Sequence, residues 1–499
     1  MQKSNNSNML AQRYSNDFSV PLELALILAG RFPEYNEAKK FLFPELSNLY
    51  DPRGIPDLEV ASMEIIKAIN NGEGILIYGH DDPDGFTSAA IMYKTLMDLH
   101  RQNLGSVYVY PIVREKDGYV LNREVLKAYR EQGVKLVLTV DFGISNQENF
   151  QIAESENLKL IVCDHHETEL SEFSAPAVNP KRKDSQYPFR ELAGVGVVFK
   201  LAQYLYQTAF HLTANEFYNL KKEFFSIVLI GTISDRVVLR DENRVFCAHG
   251  LKILDQLDEP WIRFLKQDSV MNLMQITEEI IPIIASAAYL DSNLGVGILV
   301  SKDEDYIAET VSKLRLVNVE RRRIIESLFD EVVSAAKVFP GIVVSIIPIS
   351  KQHYLGPVSA RLRNYFRRTA VVIGFRQEKC FGELRSYCLD LYKMLSHMGR
   401  LFLDFGGHKK AAGFSILADN LDRFVEEAVS YVSNHTTETA DDVCSPCLTS
   451  EVFLNKSDIN IVAPLVPFGE GNPAPIMTDG VDIYTTNNSF NIIDIGLGA

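Results

Sequence analysis

Four short segments gather aspartate and histidine where apolar, β-branched runs of the sequence end. Carboxylate oxygens mixed with imidazole nitrogens suit manganese, magnesium or zinc, and the segments hold more donors than one ion needs. Two ions about 3.5–4 Å apart, which clamp the attacking and leaving oxygens of a phosphoryl group, would use such a set. The donors therefore indicate a two-metal phosphoesterase. The segments are His80-Asp81-Asp82-Pro83-Asp84-Gly85, Asp141-Phe142-Gly143, Asp164-His165-His166 and Ser234-Asp235.

The first segment has two interpretations. His80, Asp82 and Asp84 alternate, so an extended loop would turn all three side chains to one side. Gly85 would then let the backbone turn into a helix that begins near Phe86. The alternative is a solvated acidic turn in which Asp84 caps that helix.

The third segment is harder to explain without a metal. Adjacent histidines after a buried strand cannot both be core residues, and an adjoining aspartate can fix an imidazole tautomer. Asp141 or Asp235 alone would fit a helix cap or a turn equally well. They become candidate metal ligands because they occur together with the other two segments.

The elements that must position these side chains follow from the hydrophobic pattern. Residues 73–233 alternate strand-like and helix-like segments, which is typical of a parallel α/β sheet. Asp82, Asp141 and Asp164 each come just beyond a predicted strand, where open α/β sheets bind ligands. Asp235 instead follows a helix-like segment. The predicted strands are 74–78, 107–113, 134–140 and 159–163.

The second half of the chain predicts another α/β unit. Residues 307–337 are helical and charged, which indicates a long connecting helix. A strand at 341–349, a helix at 357–366 and a strand at 369–375 follow. The unit closes with a glycine-rich segment, 406–413, and a helix at 421–432.

Composition limits the class of protein. With 499 residues, 46% hydrophobic and 23% charged, the chain is expected to be globular, with two to four domains. The first twenty residues lack an apolar core, and the longest apolar run, near 280–290, is too short to cross a bilayer. We therefore expect a cytoplasmic protein with no membrane partner. A net charge of −15 argues against a general basic surface but leaves a local basic groove open.

These segments, in this order, resemble the DHH phosphoesterase superfamily, named after triplets of the Asp164-His165-His166 type. Gly406-Gly407-His408 with Ala411-Ala412-Gly413 is similar to the glycine-rich signature of the DHH-associated domain. Within the superfamily the chain most resembles the RecJ-like exonucleases, which are specific for single strands. The motifs of that resemblance are Asp51-Pro52, Gly118-Tyr119, Leu121-Asn122, Val178-Asn179-Pro180, Tyr187-Pro188-Phe189, Leu192-Ala193-Gly194-Val195-Gly196, Glu242-Asn243-Arg244 and Pro467-Phe468-Gly469-Glu470-Gly471-Asn472-Pro473.

The resemblance implies roles for particular residues. Two divalent ions are expected, with manganese preferred and magnesium also suitable. Asp164 would orient His165, and His166 would face the scissile phosphate. One ion would bind His80, Asp82 and Asp141, and the other Asp84, Asp141, His165 and Asp235. The implied substrate contacts are Arg114, Arg385, Ser386, Gly407 and His408.

The resemblance also implies the activity and the domains. It implies a 5′→3′ exonuclease that releases mononucleotides from single-stranded DNA in repair or recombination, with a single-strand-binding protein as a further partner. Three alternatives stay open: hydrolysis of short oligonucleotides or cyclic dinucleotides, an RNA 5′ exonuclease, and a non-catalytic replication scaffold. The implied domains are an N-terminal extension (1–50), a DHH catalytic domain (51–300), a connecting helix (301–337), a DHH-associated substrate-binding domain (338–434), and a linker with an incomplete OB-like segment (435–499).

Four features depart from the RecJ-like pattern. His80 stands where those proteins commonly carry aspartate, and Tyr289 stands where a basic residue is expected. Glu383 occupies the place of a small or polar phosphate contact, and its charge would repel phosphate. The C-terminal segment is too short for the roughly five strands of an OB fold.

Overall fold

The fold is described from a computed structural model of the chain. It describes residues 2–99, 105–113, 120–266, 273–348, 352–376, 378–407, 409–435, 452–453, 456–478, 483–486 and 492–494. Two predicted substrate contacts, Arg114 and His408, lie outside these ranges. The chain divides into two compact units, Met1–Leu314 with Leu448–Ala499, and Arg315–Cys447.

A five-stranded sheet forms the centre of the first unit. All its neighbouring strands are parallel, in the order β2-β1-β3-β4-β5. The three central strands are almost completely buried, as their continuous apolar sequences predicted. The predicted α/β class with a parallel sheet is thus confirmed. The strands are β1 (Gly74–Gly79), β2 (Val107–Pro111), β3 (Val134–Val140), β4 (Lys159–Cys163) and β5 (Ala177–Val178).

The register of this sheet brings the predicted ligand segments together. Gly79 pairs with Val140, and Val140 pairs with Cys163. These three residues end β1, β3 and β4, so the segments that follow them leave one edge of the sheet side by side. This is the edge at which parallel α/β sheets bind ligands.

Helices pack around the sheet and bury an extended apolar core. One of them begins at Pro83, within the first ligand segment and three residues before the predicted start. Proline is favoured at the first helical position, since its fixed φ suits a helix. The helices of this unit are Gln2–Phe18, Leu22–Arg31, Tyr35–Leu42, Leu58–Asn70, Pro83–Leu99, Arg123–Glu131, Glu148–Ser155, Gly194–Phe210, Ala214–Leu220, Lys222–Asp235, Asp241–Leu254, Pro260–Leu265, Leu273–Gln275, Ile276–Ile280, Ile281–Ala285 and Asn293–Val300.

The two ends of the sequence share a small separate core. Side chains of the first three helices pack against Val462, Leu465 and Phe468. Val462 and Leu465 belong to the 3₁₀ segment Lys456–Leu465. The N-terminal region is therefore a helical layer closed by a C-terminal segment.

A six-stranded mixed sheet forms the second unit. Its order is β10-β11-β9-β8-β7-β6, in which β7 and β8 are parallel and the other neighbours are antiparallel. The helix Glu304–Ser334, which the charged pattern predicted, contains the boundary between the units. The strands are β6 (Ala336–Phe339), β7 (Ile342–Pro348), β8 (Thr369–Arg376), β9 (Lys379–Arg385), β10 (Phe402–Gly407) and β11 (Ala411–Leu417). The helices are Leu355–Phe366, Leu391–His397 and Leu421–His435.

The described C-terminal residues include a third sheet of four short strands. They are β12 (Val452–Phe453), β13 (Ile476–Thr478), β14 (Ile483–Thr486) and β15 (Ile492–Asp494). That this segment is an incomplete OB fold stays a prediction. No helix in the described ranges combines the length and apolar character that a membrane crossing requires.

Candidate metal centre

Donor atoms of the predicted ligands form three overlapping groups at the edge of the parallel sheet. Within each group, all donor atoms lie within 4.8 Å of one another. Asp141 and His165 each belong to two groups, so the groups form one continuous cluster. The groups are His80, Asp82 and Asp141; Asp84, His165 and Asp235; and Asp141, His165 and His166.

Asp141 lies at the centre of the cluster in an unusual backbone conformation. Its φ of +63° is left-handed, a region that aspartate tolerates better than most residues with a side chain. Its backbone N–H continues the ladder to Cys163 O at 2.9 Å. A Cβ on Gly194 would lie only 2.5 Å from Asp141 Oδ1. The helix that begins at Gly194 can therefore lie this close to the Asp141 carboxylate only because residue 194 has no side chain.

Asp84 is held by the N-terminus of that same helix. Its Oδ2 accepts a hydrogen bond from Gly194 N at 2.7 Å, and its Oδ1 accepts one from Val195 N at 2.9 Å. The free N–H groups and the dipole at a helix N-terminus stabilise a carboxylate. Asp84 lies in the first turn of its own helix and does not cap it.

His165 is completely buried, and a hydrogen bond at one ring nitrogen fixes the orientation of its ring. Nδ1 lies 2.9 Å from Leu192 O, so Nδ1 carries the proton and Nε2 is left as the metal-binding nitrogen. Nε2 lies 3.2 Å from Asp141 Oδ1, 3.6 Å from Asp235 Oδ2 and 3.9 Å from Asp84 Oδ2. Three carboxylates thus surround one imidazole nitrogen.

Asp164 orients His166, whereas the resemblance implied that it orients His165. Its Oδ1 lies 2.7 Å from His166 Nδ1 and also accepts the backbone N–H groups of His165 and His166. Its Oδ2 accepts Ile144 N at 3.0 Å. These contacts hold both the backbone and the ring of the second histidine against the carboxylate. His166 keeps 22% of its side chain exposed, while Asp164 is buried.

The first ligand segment is not an extended loop, contrary to our expectation. His80 follows β1, and Asp82 precedes the helix, where its Oδ1 accepts Gly85 N at 3.0 Å. Gly85 is needed for close approach, because a Cβ there would lie 2.4 Å from His80 O. His80 Nδ1 lies 2.9 Å from Asp82 Oδ2, and Asp82 is the most exposed carboxylate of the cluster.

The carboxylates are crowded in a buried space, and this changes their titration. Burial, reinforced by the charge of Asp82, raises the pKa of Asp84 to about 7, although the helix N–H groups oppose the shift. Burial and neighbouring carboxylates also raise the pKa values of Asp141 and Asp235. Burial and the nearby His166 lower the pKa of His165. A divalent ion would relieve this repulsion and replace the protons, so the donors fit such an ion.

Asp164 behaves in the opposite way. Burial alone would raise its pKa, but His166, His165 and the N–H group of Ile144 lower the pKa below the usual range. It therefore stays ionised and keeps the proton on Nδ1 of His166.

The predicted substrate contacts that the structure describes belong to the second unit. Arg385 Nη1 lies 2.9 Å from Glu383 Oε2, so the carboxylate we expected to repel phosphate pairs with the arginine expected to bind it. Ser386 is buried, and its hydroxyl accepts Leu389 N and lies 2.9 Å from Thr369 Oγ1. Direct contact between Ser386 and a substrate is therefore disfavoured. Gly407, at the end of β10, has a φ of +127°.

Sequence reasoning missed several residues that shape the centre. Lys181 is largely buried; its charge contributes to the lowered pKa of His165 and opposes the rise in the pKa of Asp235. Leu192 and Gly194 act through a backbone carbonyl and a missing side chain. Lys181 follows one of the motifs of the resemblance, and Leu192 and Gly194 lie within another, which was the available signal.

Comparison with protein families identifies both parts of this architecture. Residues 74–232 match the DHH family, N-terminal domain, and residues 340–434 match the DHHA1 domain. The chain therefore contains a DHH domain followed by a DHHA1 domain. The predicted resemblance is thus confirmed.

Similar proteins extend the match beyond these domains. The single-stranded-DNA-specific exonuclease RecJ of Bacillus subtilis is 30% identical over 91% of this chain, which spans 58% of that protein. The RecJ of Haemophilus influenzae is 28% identical, with 86% of this chain and 79% of that protein covered. The structure of Thermus thermophilus RecJ in complex with Mn²⁺ shares the fold, with a TM-score of 0.75 and 22% identity over 98% of this chain and 73% of that one.

Proposed function

We propose that this chain is a metal-dependent exonuclease that removes nucleotides from the 5′ end of single-stranded DNA. The observation that supports it most is the continuous cluster in which Asp141 and His165 join separate groups of donors. The names of the relatives specify single-stranded DNA as their substrate. A complete donor set argues against a non-catalytic scaffold.

The donors divide between two divalent ions, manganese preferred and magnesium accepted. One ion would bind His80, Asp82 and Asp141, and the second would bind Asp84, Asp141, His165 and Asp235. The ions would supply an activated water and stabilise the charge that develops on the phosphoryl oxygens. Asp141 would contact both.

The remaining residues of the centre fix orientation and protons. Asp164, ionised and buried, holds the proton of His166 on Nδ1, which leaves Nε2 directed away from the carboxylate. Because His166 is partly exposed, its ring is accessible to a phosphate oxygen. We assign His166 to substrate contact and Asp164 to its orientation.

The proposal is tested by offering one enzyme preparation several substrates in the presence of Mn²⁺. Single-stranded DNA labelled at the 5′ or the 3′ end, the equivalent RNA, duplex DNA and a cyclic dinucleotide cover the alternatives. We expect early release of labelled mononucleotide from the 5′-labelled DNA only. Faster hydrolysis of RNA or of dinucleotides would mean that single-stranded DNA is not the preferred substrate. No hydrolysis of any substrate would favour a non-catalytic scaffold.

A matched pair of variants shows whether the assigned centre performs the reaction. Asp141→Asn keeps the shape of the side chain and should abolish turnover. Asp17→Asn changes the same charge on an exposed helical position and should leave turnover unchanged. An active Asp141→Asn enzyme would disprove the metal assignment.

A further inference from the structure

Two backbone segments, not the ligands alone, determine the geometry of the group Asp84, His165 and Asp235. Residues 191–195 supply Leu192 O to the ring of His165, and their N–H groups at 194 and 195 hold Asp84. Residues 235–238 begin with Asp235 itself, which ends the helix Lys222–Asp235. Asp235 is followed by Arg236 in the left-handed region, with a φ of +59°.

The side chain of Asn243 joins these two segments. Its Nδ2 donates to Glu191 O at 2.6 Å and to Val238 O at 3.0 Å. A side-chain amide nitrogen has two hydrogens, so these two carbonyls use its whole donor capacity. Asn243 is fully buried, where such bonds are worth most and their loss costs most.

The helix that carries Asn243 is anchored on both sides of it. Glu242 Oε2 accepts the hydroxyl of Tyr187 at 2.6 Å, and Oε1 lies 2.5 Å from Lys200 Nζ. Arg244 donates to backbone carbonyls of the N- and C-terminal segments. The amide is therefore presented from a fixed position and cannot follow the loops if they move.

We propose that Asn243 is a positioning residue that holds the ligands of the second ion, Asp84, His165 and Asp235, in register with one another. The inference rests on the proposed function and identifies a residue outside the metal shell on which that function depends. Both carbonyls that Asn243 binds are near the ligand positions in the sequence: Glu191 directly precedes Leu192, and Val238 is three residues after Asp235, beyond the end of its helix. Removal of the amide frees both segments at once, and with them all three ligands.

The experiment compares variants of the full chain by Mn²⁺ titration calorimetry and by kinetics. The wild type is measured first, because failure of the wild type to bind Mn²⁺ or to hydrolyse DNA would defeat the proposed function before Asn243 is tested. For Asn243→Ala we expect at least a tenfold weaker Mn²⁺ affinity for one site. Its kcat should fall, with KM for DNA little changed, and excess Mn²⁺ should restore much of the kcat.

Two further variants separate positioning from general stability. Asn243→Asp keeps the shape but places a carboxylate against two carbonyl oxygens, so its Mn²⁺ affinity should fall at least as far. Val245→Ala removes buried apolar volume from the same helix without touching either carbonyl. It should lower Tm and leave the Mn²⁺ affinity within about twofold of the wild type. If Asn243→Ala resembles Val245→Ala in both measurements, or if neither Asn243 variant folds, Asn243 is a stability element and the proposal is wrong.

Discussion

At the scale of single residues, the metal centre depends on close approaches that only certain side chains allow. Asp141 adopts a left-handed backbone, which costs on the order of 1–3 kcal/mol for a residue with a side chain. Such strain persists where the surroundings determine the conformation. Here the ladder bond to Cys163 and the helix that starts at Gly194 do so.

Gly194→Ala should therefore disable the centre without altering any ligand. The new Cβ would lie 2.5 Å from Asp141 Oδ1, so either the carboxylate or the helix must shift. A displacement of about 1 Å at a catalytic group can cost roughly 100-fold in rate. We expect a loss of this size in kcat, measured with saturating Mn²⁺.

Gly196→Ala is the matched control for that substitution. It lies on the same helix, and the nearest atoms to its Cβ would be those of the Leu192 side chain, at 3.3 Å or more. Its activity should stay close to that of the wild type. Equal losses in both variants would mean that the helix as a whole, and not the contact with Asp141, is disturbed.

The titration of Asp84 predicts how metal binding depends on pH. Burial raises the pKa of Asp84 to about 7, so the folded chain without metal holds a proton that the unfolded chain releases at lower pH. Protonation of Asp84 therefore favours the folded state at low pH, and this contribution is lost as the pH rises through about 7. Metal binds only the ionised form, so the gain in Tm on adding Mn²⁺ should be larger near pH 8 than near pH 6. An equal gain at both values would contradict this assignment.

At the scale of elements, the sequence predicted the strands of the parallel sheet better than the long-range contacts that hold the ligands in place. Buried parallel strands are continuous apolar runs, so β1, β3 and β4 were visible, and with them the edge where the ligands lie. The contact between Asp84 and Gly194 joins residues 110 positions apart, and no local pattern encodes it. The start of the helix at Pro83 was missed because an acidic run resembles a loop.

The strand β9 shows how an element can mask a predicted contact. Glu383 and Arg385 lie two residues apart, which places both side chains on one face of the strand, and they form an ion pair. An arginine that already binds a carboxylate is a weaker phosphate ligand, because the phosphate must displace that partner.

Glu383→Gln should therefore strengthen binding of single-stranded DNA. We expect an affinity gain of about 2- to 10-fold at low salt, and a steeper salt dependence, by roughly 0.7 in the log–log slope for one added phosphate contact. Fluorescence anisotropy with labelled DNA and a catalytically inactive background measures both. Glu378→Gln removes the same charge from an exposed position beside β9 and is the control. Equal affinity gains in both variants would mean that the gain comes from the change in net charge and not from the release of Arg385.

At the scale of the whole molecule, the two ends of the sequence stabilise each other. The predicted N-terminal extension is a set of helices whose core includes Val462, Leu465 and Phe468 from near the C-terminus. These regions were predicted to be separate because nothing in the sequence of either one encodes a partner more than 400 residues away. Polar contacts join them too: Arg31 donates to Pro473 O at 2.6 Å and also to Asn472 Oδ1.

Arg244 binds backbone carbonyls of both terminal regions. Its guanidinium donates to Phe41 O, Pro464 O, Leu465 O and Val466 O at 2.7–3.1 Å and lies 4.0 Å from the centroid of the Phe41 ring. Burial lowers the pKa of Arg244 to about 10, which leaves it charged at neutral pH.

Arg244→Met keeps an apolar stem but leaves buried carbonyls without this donor, so we expect the free energy of unfolding to fall by roughly 2–4 kcal/mol. Urea unfolding measures this, and trypsin should cleave near residues 456–478 sooner than in the wild type. Asp17→Asn, which removes an exposed ion pair from the same helical layer, should change neither measurement. If the two variants unfold alike, the hydrogen bonds of Arg244 do not hold the C-terminal segment.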